Sequence, residues 1–358
     1  MYPTKKQRTR LEQTLEECRW LYNQTLAYRK EAWEQRQESV SLYASNKLLP
    51  DWKEQRPSLE TVFSQVLQNV QARVDLAFKA FFRRVKNGEK PGYPRFKGKG
   101  RYDSFTYPQF GFSINGNTVY CSKIGNVKIK LHRPIVGRIK TLTIQRSSTG
   151  KWYACFSVEV KSEPLPENVK AVGIDVGLES FATLSTGEKI ENPRFFRKAE
   201  KKLAKAQRNL SKTEKGAPER AKRRKIVAHI HERIANQRRD FAHKISRNLV
   251  NQFGVIVFEK LNTNGMLKNH CLAKSVQDAA WNQFVLFTTY KAEGAGRRVV
   301  LVDPRNTSKT CSRCGSLVEK TLSDRVHSCP HCDLVLDRDV NAALNILRLG
   351  LQSLGANP

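Results

Sequence analysis

The chain has 358 residues and a formal net charge of +31, from 64 Lys or Arg against 33 Asp or Glu. Its 39% hydrophobic content is enough to bury real cores, which excludes a disordered basic tail. At roughly 100–200 residues per domain its length predicts two or three domains.

A folded chain this basic calls for a polyanion, nucleic acid or an anionic membrane surface. No stretch approaches the roughly 20 apolar residues of a membrane helix. The opening MYPTKKQRTR has no apolar signal core, which argues against export. Cys18, Cys121, Cys155 and Cys271 are scattered singly, while the other four cysteines form two CxxC pairs. That pattern points to metal binding in a reducing compartment, hence a cytoplasmic, nucleoid-associated microbial protein with no membrane partner.

From Gln7 to about Gln37, Leu11, Leu15, Cys18, Tyr22 and Leu26 recur every three or four positions, which predicts an amphipathic helix. After a loop around Pro50 and Pro57, Ser58 is the expected N-cap of a second helix. Its apolar face carries Leu59, Phe63, Val66, Val70, Val74, Ala77, Phe81 and Val85. The two helices form a hairpin or small bundle. Gly and Pro in residues 90–102 then stop any helix. Alternation at Phe110, Phe112 and Ile114, and at Val127, Ile129 and Leu131, predicts strands. A hairpin signal at 147–150 precedes a strand over 152–160. Five or so short antiparallel strands suggest a small barrel.

Pro164 and Pro166 read as a linker. Beyond it, residues 172–176 read as a buried strand and 181–184 as its hairpin partner. Residues 197–247 read as basic helices, with eighteen Lys or Arg against five Asp or Glu. An apolar stripe runs through Ile226, Ile230, Ile234, Phe241, Ile245 and Leu249, and Gly254 ends the region. A buried strand at 255–259, a helix at 281–290, a strand at 299–302 and a final helix at about 340–351 complete the chain.

The strongest local signal is Cys311-x-x-Cys314 and Cys329-x-x-Cys332. Four thiolates in two knuckles suit one tetrahedral Zn²⁺, and a closed four-Cys site is structural. The alternatives are accidental pairs or a redox dithiol. His327 and His331 lie inside this region as flanking residues.

Three acids stand at the ends of core elements: Asp175 in a hydrophobic strand, Glu259 closing another, and Asp339 opening the last helix. Acids beside buried strands are costly unless paired or metal-bound. Three that converge can hold two Mg²⁺ roughly 3.5–4 Å apart for phosphodiester hydrolysis. The plainer alternatives are an N-cap role for Asp339 and a solvent-facing Glu259.

Candidate nucleic-acid contacts fall in two regions. Lys90, Arg95, Lys97, Lys99 and Arg101 interleave with Tyr93, Phe96, Tyr102, Phe105, Tyr107 and Phe110. The basic residues suit phosphates and the aromatics suit unpaired bases, with about half of the aromatics expected in the barrel core. The basic helices, with Arg223, Arg224, Arg238 and Arg239, suit a duplex-tracking surface.

In order along the chain, these features resemble the TnpB family, the RNA-guided nucleases of bacterial insertion sequences related to type V CRISPR effectors. The resemblance rests on residues 90–97 (KPGYPRFK), 172–177 (VGIDVG), 257–262 (VFEKLN), 307–315 (TSKTCSRCG) and 337–346 (DRDVNAALNI). It implies a multidomain α+β chain with an RNase H-like (RuvC) α/β core, a β-barrel wedge domain, an inserted helical recognition lobe and an inserted zinc ribbon. The implied spans are 1–10 and 87–166 for the wedge, 11–86 for the lobe, 167–302 and 333–358 for the nuclease, and 303–332 for the ribbon. The implied catalytic and Mg²⁺-binding acids are Asp175, Glu259 and Asp339. Asp339 is preferred to Asp337 because the family's acid stands two residues before Asn-Ala, here Asn341-Ala342. The implied partners are a guide RNA from the transposon end and target double-stranded DNA cut beside a short adjacent motif, with one protomer per RNA.

One departure stands out. Family members usually carry a basic strand ahead of the Tyr-Pro-Thr found here at Tyr2–Thr4, so the first wedge strand is expected to be missing. That keeps a binding-only, RNA-guided regulator in view. A transposase that joins DNA ends itself is the third reading, although the ribbon and the KPGYPRFK segment point away from it.

Overall fold

The computed structural model describes residues 1–161, 163–321 and 324–355. Residue 162 of the expected wedge, 322 and 323 of the expected ribbon and 356–358 of the expected nuclease span lie outside the described residues. The chain is a mixed α/β protein of two compact units, Met1–Lys161 and Ser162–Pro358.

The first unit opens with α1 (Lys5–Arg36). Thr4 and Gln7 form a capping box, each side chain accepting the other's backbone N–H, so the helix starts two residues before the expected Gln7. Leu11, Leu15, Cys18, Tyr22 and Leu26 are all buried, as their spacing predicts. Two short helices follow, α2 (Leu42–Lys47) and α3 (Leu49–Gln55), then a 3-10 turn (Pro57–Thr61) and α4 (Ser64–Lys86). Ser58 therefore lies inside the 3-10 turn and is not a helix N-cap. Pro57 opens that turn and the extended Val62 ends it, so the long helix restarts only after Phe63. Across the pair, Arg29 reaches Asp75 of α4 at 3.1 Å.

Six strands complete this unit: β1 (Ser104–Tyr107), β2 (Phe112–Asn115), β3 (Thr118–Cys121), β4 (Gly125–Lys128), β5 (Arg138–Arg146) and β6 (Trp152–Glu159). They form two antiparallel sheets, ordered β1-β5-β6 and β2-β3-β4. The Tyr2 N–H donates to the Lys128 carbonyl at 2.7 Å, a single bridge on the β4 edge. Helices and sheets share one core, in which Leu11 and Leu67 join Phe105, Val119, Leu142 and Trp152.

The second unit runs β7 (Ala171–Val176), β8 (Ser180–Leu184), β9 (Lys189–Glu191), α5 (Phe195–Ser211), α6 (Pro218–Gln252) and β10 (Val255–Glu259). It continues through α7 (Thr263–Met266), α8 (Ala273–Ala279), α9 (Trp281–Gly294), β11 (Arg298–Val302), β12 (Val326–Ser328), β13 (Val335–Asp337) and α10 (Arg338–Ser353). A five-stranded sheet has the order β11-β10-β7-β8-β9. β11, β10 and β7 are parallel, and β8 and β9 fold back antiparallel.

Both faces of this sheet are covered, which explains its near-continuous apolar strands. Val172, Ile174, Ile256 and Phe258 point to a core shared with α6 and α9, including Leu249, Trp281 and Phe284. On the opposite face α10 crosses β7 and β10, and Val257 packs with Ile346 and Leu347.

This second contact is close enough to need glycine. A Cβ at Gly173 would lie 2.1 Å from the Ala343 carbonyl oxygen and 2.5 Å from the Leu347 nitrogen. A Cβ at Gly350 would meet the Val257 methyls at 2.4 Å. The atoms facing Gly173 are helix backbone and cannot swing aside, so Gly173→Ala must push α10 off the sheet. That substitution is expected to cost about 1–3 kcal/mol or more, read as a lower denaturation midpoint. An unchanged midpoint would contradict the packing.

Candidate active site

Strand alternation decides which side chains face α10. Gly173 faces it, so Asp175, two residues on, does too. Val257 faces it on β10, so Glu259 follows. β7 and β10 are in parallel register up to Ile174↔Phe258, which brings Asp175 and Glu259 side by side at the C-terminal ends of neighbouring strands. Such strand ends are where open α/β sheets place ligands.

Asp339 is the second residue of α10. It is not the N-cap. That position belongs to Asp337, whose Oδ1 accepts the Asp339 and Val340 backbone N–H groups at 3.0 and 3.1 Å. The Asp339 side chain is instead free of capping duty. Its Oδ1 accepts from Nε and Nη2 of Arg338 at 3.1 and 2.9 Å. Asp337 is further held by Lys189 of β9 at 2.6 Å.

Asp175 lies within Coulombic reach of both other acids. Burial, and then the Glu259 and Asp339 carboxylates, hold Asp175 well above the usual carboxylate range, with Arg338 opposing. Burial also raises Glu259, opposed by a hydrogen bond from the Thr307 hydroxyl. Charges of one sign gathered in a half-buried place are what a divalent cation relieves, so this donor set fits Mg²⁺.

The four Cys sulfurs lie within 4.8 Å of one another. Among the described residues, they alone form a set of three or more Cys, His, Asp or Glu ligand atoms gathered for one ion. The three carboxylates do not close around a single point. The Cys311–Cys332 and Cys314–Cys329 sulfur pairs are each 3.6 Å apart, too far for disulfides. Tetrahedral Zn–S bonds of about 2.3 Å require S···S edges of nearly that length, so the cluster fits Zn²⁺. Each knuckle turns on backbone hydrogen bonds, Gly315 to Cys311 and Asp333 to Cys329, at 3.0 Å. The β12–β13 hairpin carrying the second knuckle runs directly into the Asp337 cap, so the cluster and Asp339 are joined by a few residues of chain.

The nucleic-acid candidates are placed as follows. Tyr93 packs edge-on against Phe78 and Phe81, and Phe96 stays 54% exposed. The Lys97 backbone is pinned to Asn23 and Arg19 of α1, and its ammonium sits over Tyr22. Lys90, Arg95, Lys99 and Arg101 are exposed on the same segment. Of the six interleaved aromatics, Tyr102, Phe105 and Tyr107 are core, the half that was expected. On α6, Arg224 and Arg239 are exposed and Arg223 pairs with Glu219. Arg238 is bound at 2.8 Å to buried Asp278, which also accepts the Phe196 N–H.

Sequence reasoning missed Thr307, Arg338, Asn341 and Asn345. The signal was present: two Asn four residues apart on the buried side of an amphipathic helix are polar groups that must have partners.

Known proteins resemble this chain closely. A "Putative RNA-guided DNA endonuclease" of Streptomyces pristinaespiralis is 37% identical over 98% of this chain and 88% of its own length. The chain belongs to the TnpB family. "Putative RNA-guided DNA endonuclease InsQ" of Escherichia coli K12 is 31% identical over 93% of this chain and 86% of that relative. Family descriptions match in three places: "Probable transposase" of the IS605 OrfB type at residues 155–270, a Cas12f1-like TNB domain at 281–346 and a helix-turn-helix domain at 1–38. Over that last span the structure has one continuous helix, α1, entered from the Thr4 cap. A Cas12f1–sgRNA–target DNA complex shares the fold, with a TM-score of 0.60 at 17% identity over 94% of this chain and 81% of that one.

The raised Asp175 has a consequence for stability. A carboxyl whose folded pKa exceeds its unfolded value stabilises below the unfolded pKa and loses that contribution as pH rises through the folded pKa. At pH 7, without added Mg²⁺, Asp175→Asn should therefore melt higher than the parent chain, and the gap should close towards pH 4. A variant that melts lower at pH 7 would contradict the acid cluster.

Proposed function

We propose that the chain is a transposon-associated, RNA-guided DNA endonuclease that hydrolyses target DNA with Mg²⁺ held by Asp175, Glu259 and Asp339. The observation that carries this reading is the meeting of three carboxylates from β7, β10 and α10 at one strand-end edge, where burial and then the neighbouring acids raise Asp175 well above the usual carboxylate range. A binding-only role leaves that destabilising cluster without a purpose.

On this reading the β7–β11 sheet with α10 is an RNase H-like, RuvC-type core, drawn from residues 167–302 and 333–358. The strands of residues 1–10 and 87–166 are the wedge, the helices of 11–86 the recognition lobe, and 303–332 the zinc ribbon. Cys311, Cys314, Cys329 and Cys332 would hold one structural Zn²⁺. Bound Mg²⁺, two ions per site, supplies a lowered water pKa and neutralises charge on the leaving oxygen. Asp175, Glu259 and Asp339 would provide the negative charge that recruits it, and Arg338 keeps Asp339 oriented.

The partners are a guide RNA and target double-stranded DNA, with one protomer per RNA. Support comes from the +31 charge and from relatives whose names carry that activity. Exposed Lys90, Arg95, Phe96, Lys99, Arg101, Arg224 and Arg239 are the first candidates for backbone and base contacts. Tyr93, Lys97, Arg223 and Arg238 already have protein partners, so their contacts with nucleic acid would add to existing ones.

The test is to co-express the protein with its flanking DNA, sequence the bound RNA, and challenge a plasmid library with Mg²⁺. Cleavage should require both RNA and metal, and fall by at least about 10³-fold in Asp175→Ala, the range for losing a main electrostatic element of a site. Cutting that persists without RNA or in that variant would refute the proposal.

A further inference from the structure

We infer that Thr307 is a positioning residue for Glu259, held in place by Asn341 and Asn345 of α10, which clamp the backbone on either side of Cys311. The inference rests on the nuclease reading and adds residues to its site.

The Thr307 hydroxyl is buried and donates to Oε1 of Glu259. The same oxygen lies 3.1 Å from the Pro304 carbonyl. A hydroxyl has one proton to give, and an ionised carboxylate is the stronger acceptor. Thr307 therefore fixes which Glu259 oxygen faces it.

What aims Thr307 is the final helix. Asn345 Nδ2 donates to the Thr307 carbonyl at 2.9 Å and to the Thr310 carbonyl at 2.6 Å. Asn341 Nδ2 donates to the Thr310 carbonyl at 2.8 Å, and its Oδ1 accepts the Ser312 N–H at 2.9 Å. The two contacts of Asn341 straddle Cys311. Both amides are almost fully buried, at 0% and 1% exposure. Buried amides persist only when their hydrogen bonds are made. These bonds go to a segment of turns with one isolated bridge at Thr310, and they anchor it to α10.

One helix thus sets two acids. It carries Asp339 directly, and it places Glu259 through Asn345, the 307–310 backbone and the Thr307 hydroxyl. The first Cys knuckle is tied into the same network, which gives the cluster a route to the acid site within one unit.

The experiment measures Mn²⁺ binding to the full chain by calorimetry at pH 7.5, in the parent and in Thr307→Ser, Thr307→Val and Asn345→Leu. Zn content is followed by mass spectrometry. Thr307→Val should weaken Mn²⁺ binding about tenfold or more, the scale of a lost hydrogen bond to a charged group. Thr307→Ser should stay within about threefold of the parent, since it keeps the hydroxyl. Asn345→Leu should resemble Thr307→Val with Zn retained.

Parent-like binding in Thr307→Val, or equal loss in Ser and Val, overturns the inference. If Thr307→Val does not fold, Thr307→Ala carries the same comparison with Ser. In a Glu259→Gln background the Val substitution should have no further effect, and a further tenfold loss there also overturns it. The two claims fail separately. A parent that binds Mn²⁺ through this relay but never cuts under RNA guidance overturns only the function. A parent that cuts with RNA and metal but is indifferent to Thr307→Val overturns only the relay.

Discussion

The second unit depends on the approach of α10 to β7 at Gly173. Helix backbone touches strand backbone there, and nothing larger than hydrogen fits between them. The contact fixes the helix along its axis as well as its distance from the sheet. From Gly173 to Asp175 the strand advances about 6.6 Å, and from Ala343 back to Asp339 the helix advances about 6 Å. The two steps match, so the residue one turn before the contact on the helix meets the residue two positions beyond it on the strand. Glu259 joins them because β10 is in parallel register with β7.

That arrangement destabilises the site it builds. Asp175 sits beside two further carboxylates, and its charge is suppressed by burial and by both of them. Local supports limit the strain to this point: Arg338 on Asp339, Lys189 on Asp337 and Thr307 on Glu259. The acids are therefore oriented individually while their mutual repulsion is left standing, which is the state a cation would relieve. The apolar core beneath, from Val172 to Phe284, supplies the packing that lets the unit tolerate it.

Much of this was legible in the sequence. Strong periodicity gave α1 and the buried β7 and β10, because in those segments local pattern and tertiary burial agree. Two CxxC pairs gave the sulfur cluster, because their spacing alone builds the knuckles. Ser58 misled, since a good cap residue was overruled by Pro57 and by an extended Val62 that the pattern did not reveal. Family likeness favoured Asp339 over Asp337, and the geometry supplies a physical ground for that choice: Asp337 is spent on the two N–H groups of the first turn. Thr307 was not legible, and Asn341 and Asn345 were legible only as buried polar groups in need of partners. Their role depends on a loop folding back onto a helix 29 to 38 residues away, and no short-range pattern records which partners meet. The basic residues were legible as charge but not as surface, since whether Arg238 faces solvent or Asp278 is decided by packing.

On the proposed reading, Asp175, Glu259 and Asp339 face one metal-binding place because α10 is locked onto the sheet. The most direct test replaces Mg²⁺ with Fe²⁺ in the full chain and generates hydroxyl radicals at the bound iron with ascorbate and peroxide. Backbone scission should then appear near residues 175, 259 and 339 together, compete away with excess Mg²⁺, and vanish in Asp175→Ala. Scission confined to one of these segments, or cuts that Mg²⁺ does not suppress, would contradict the account.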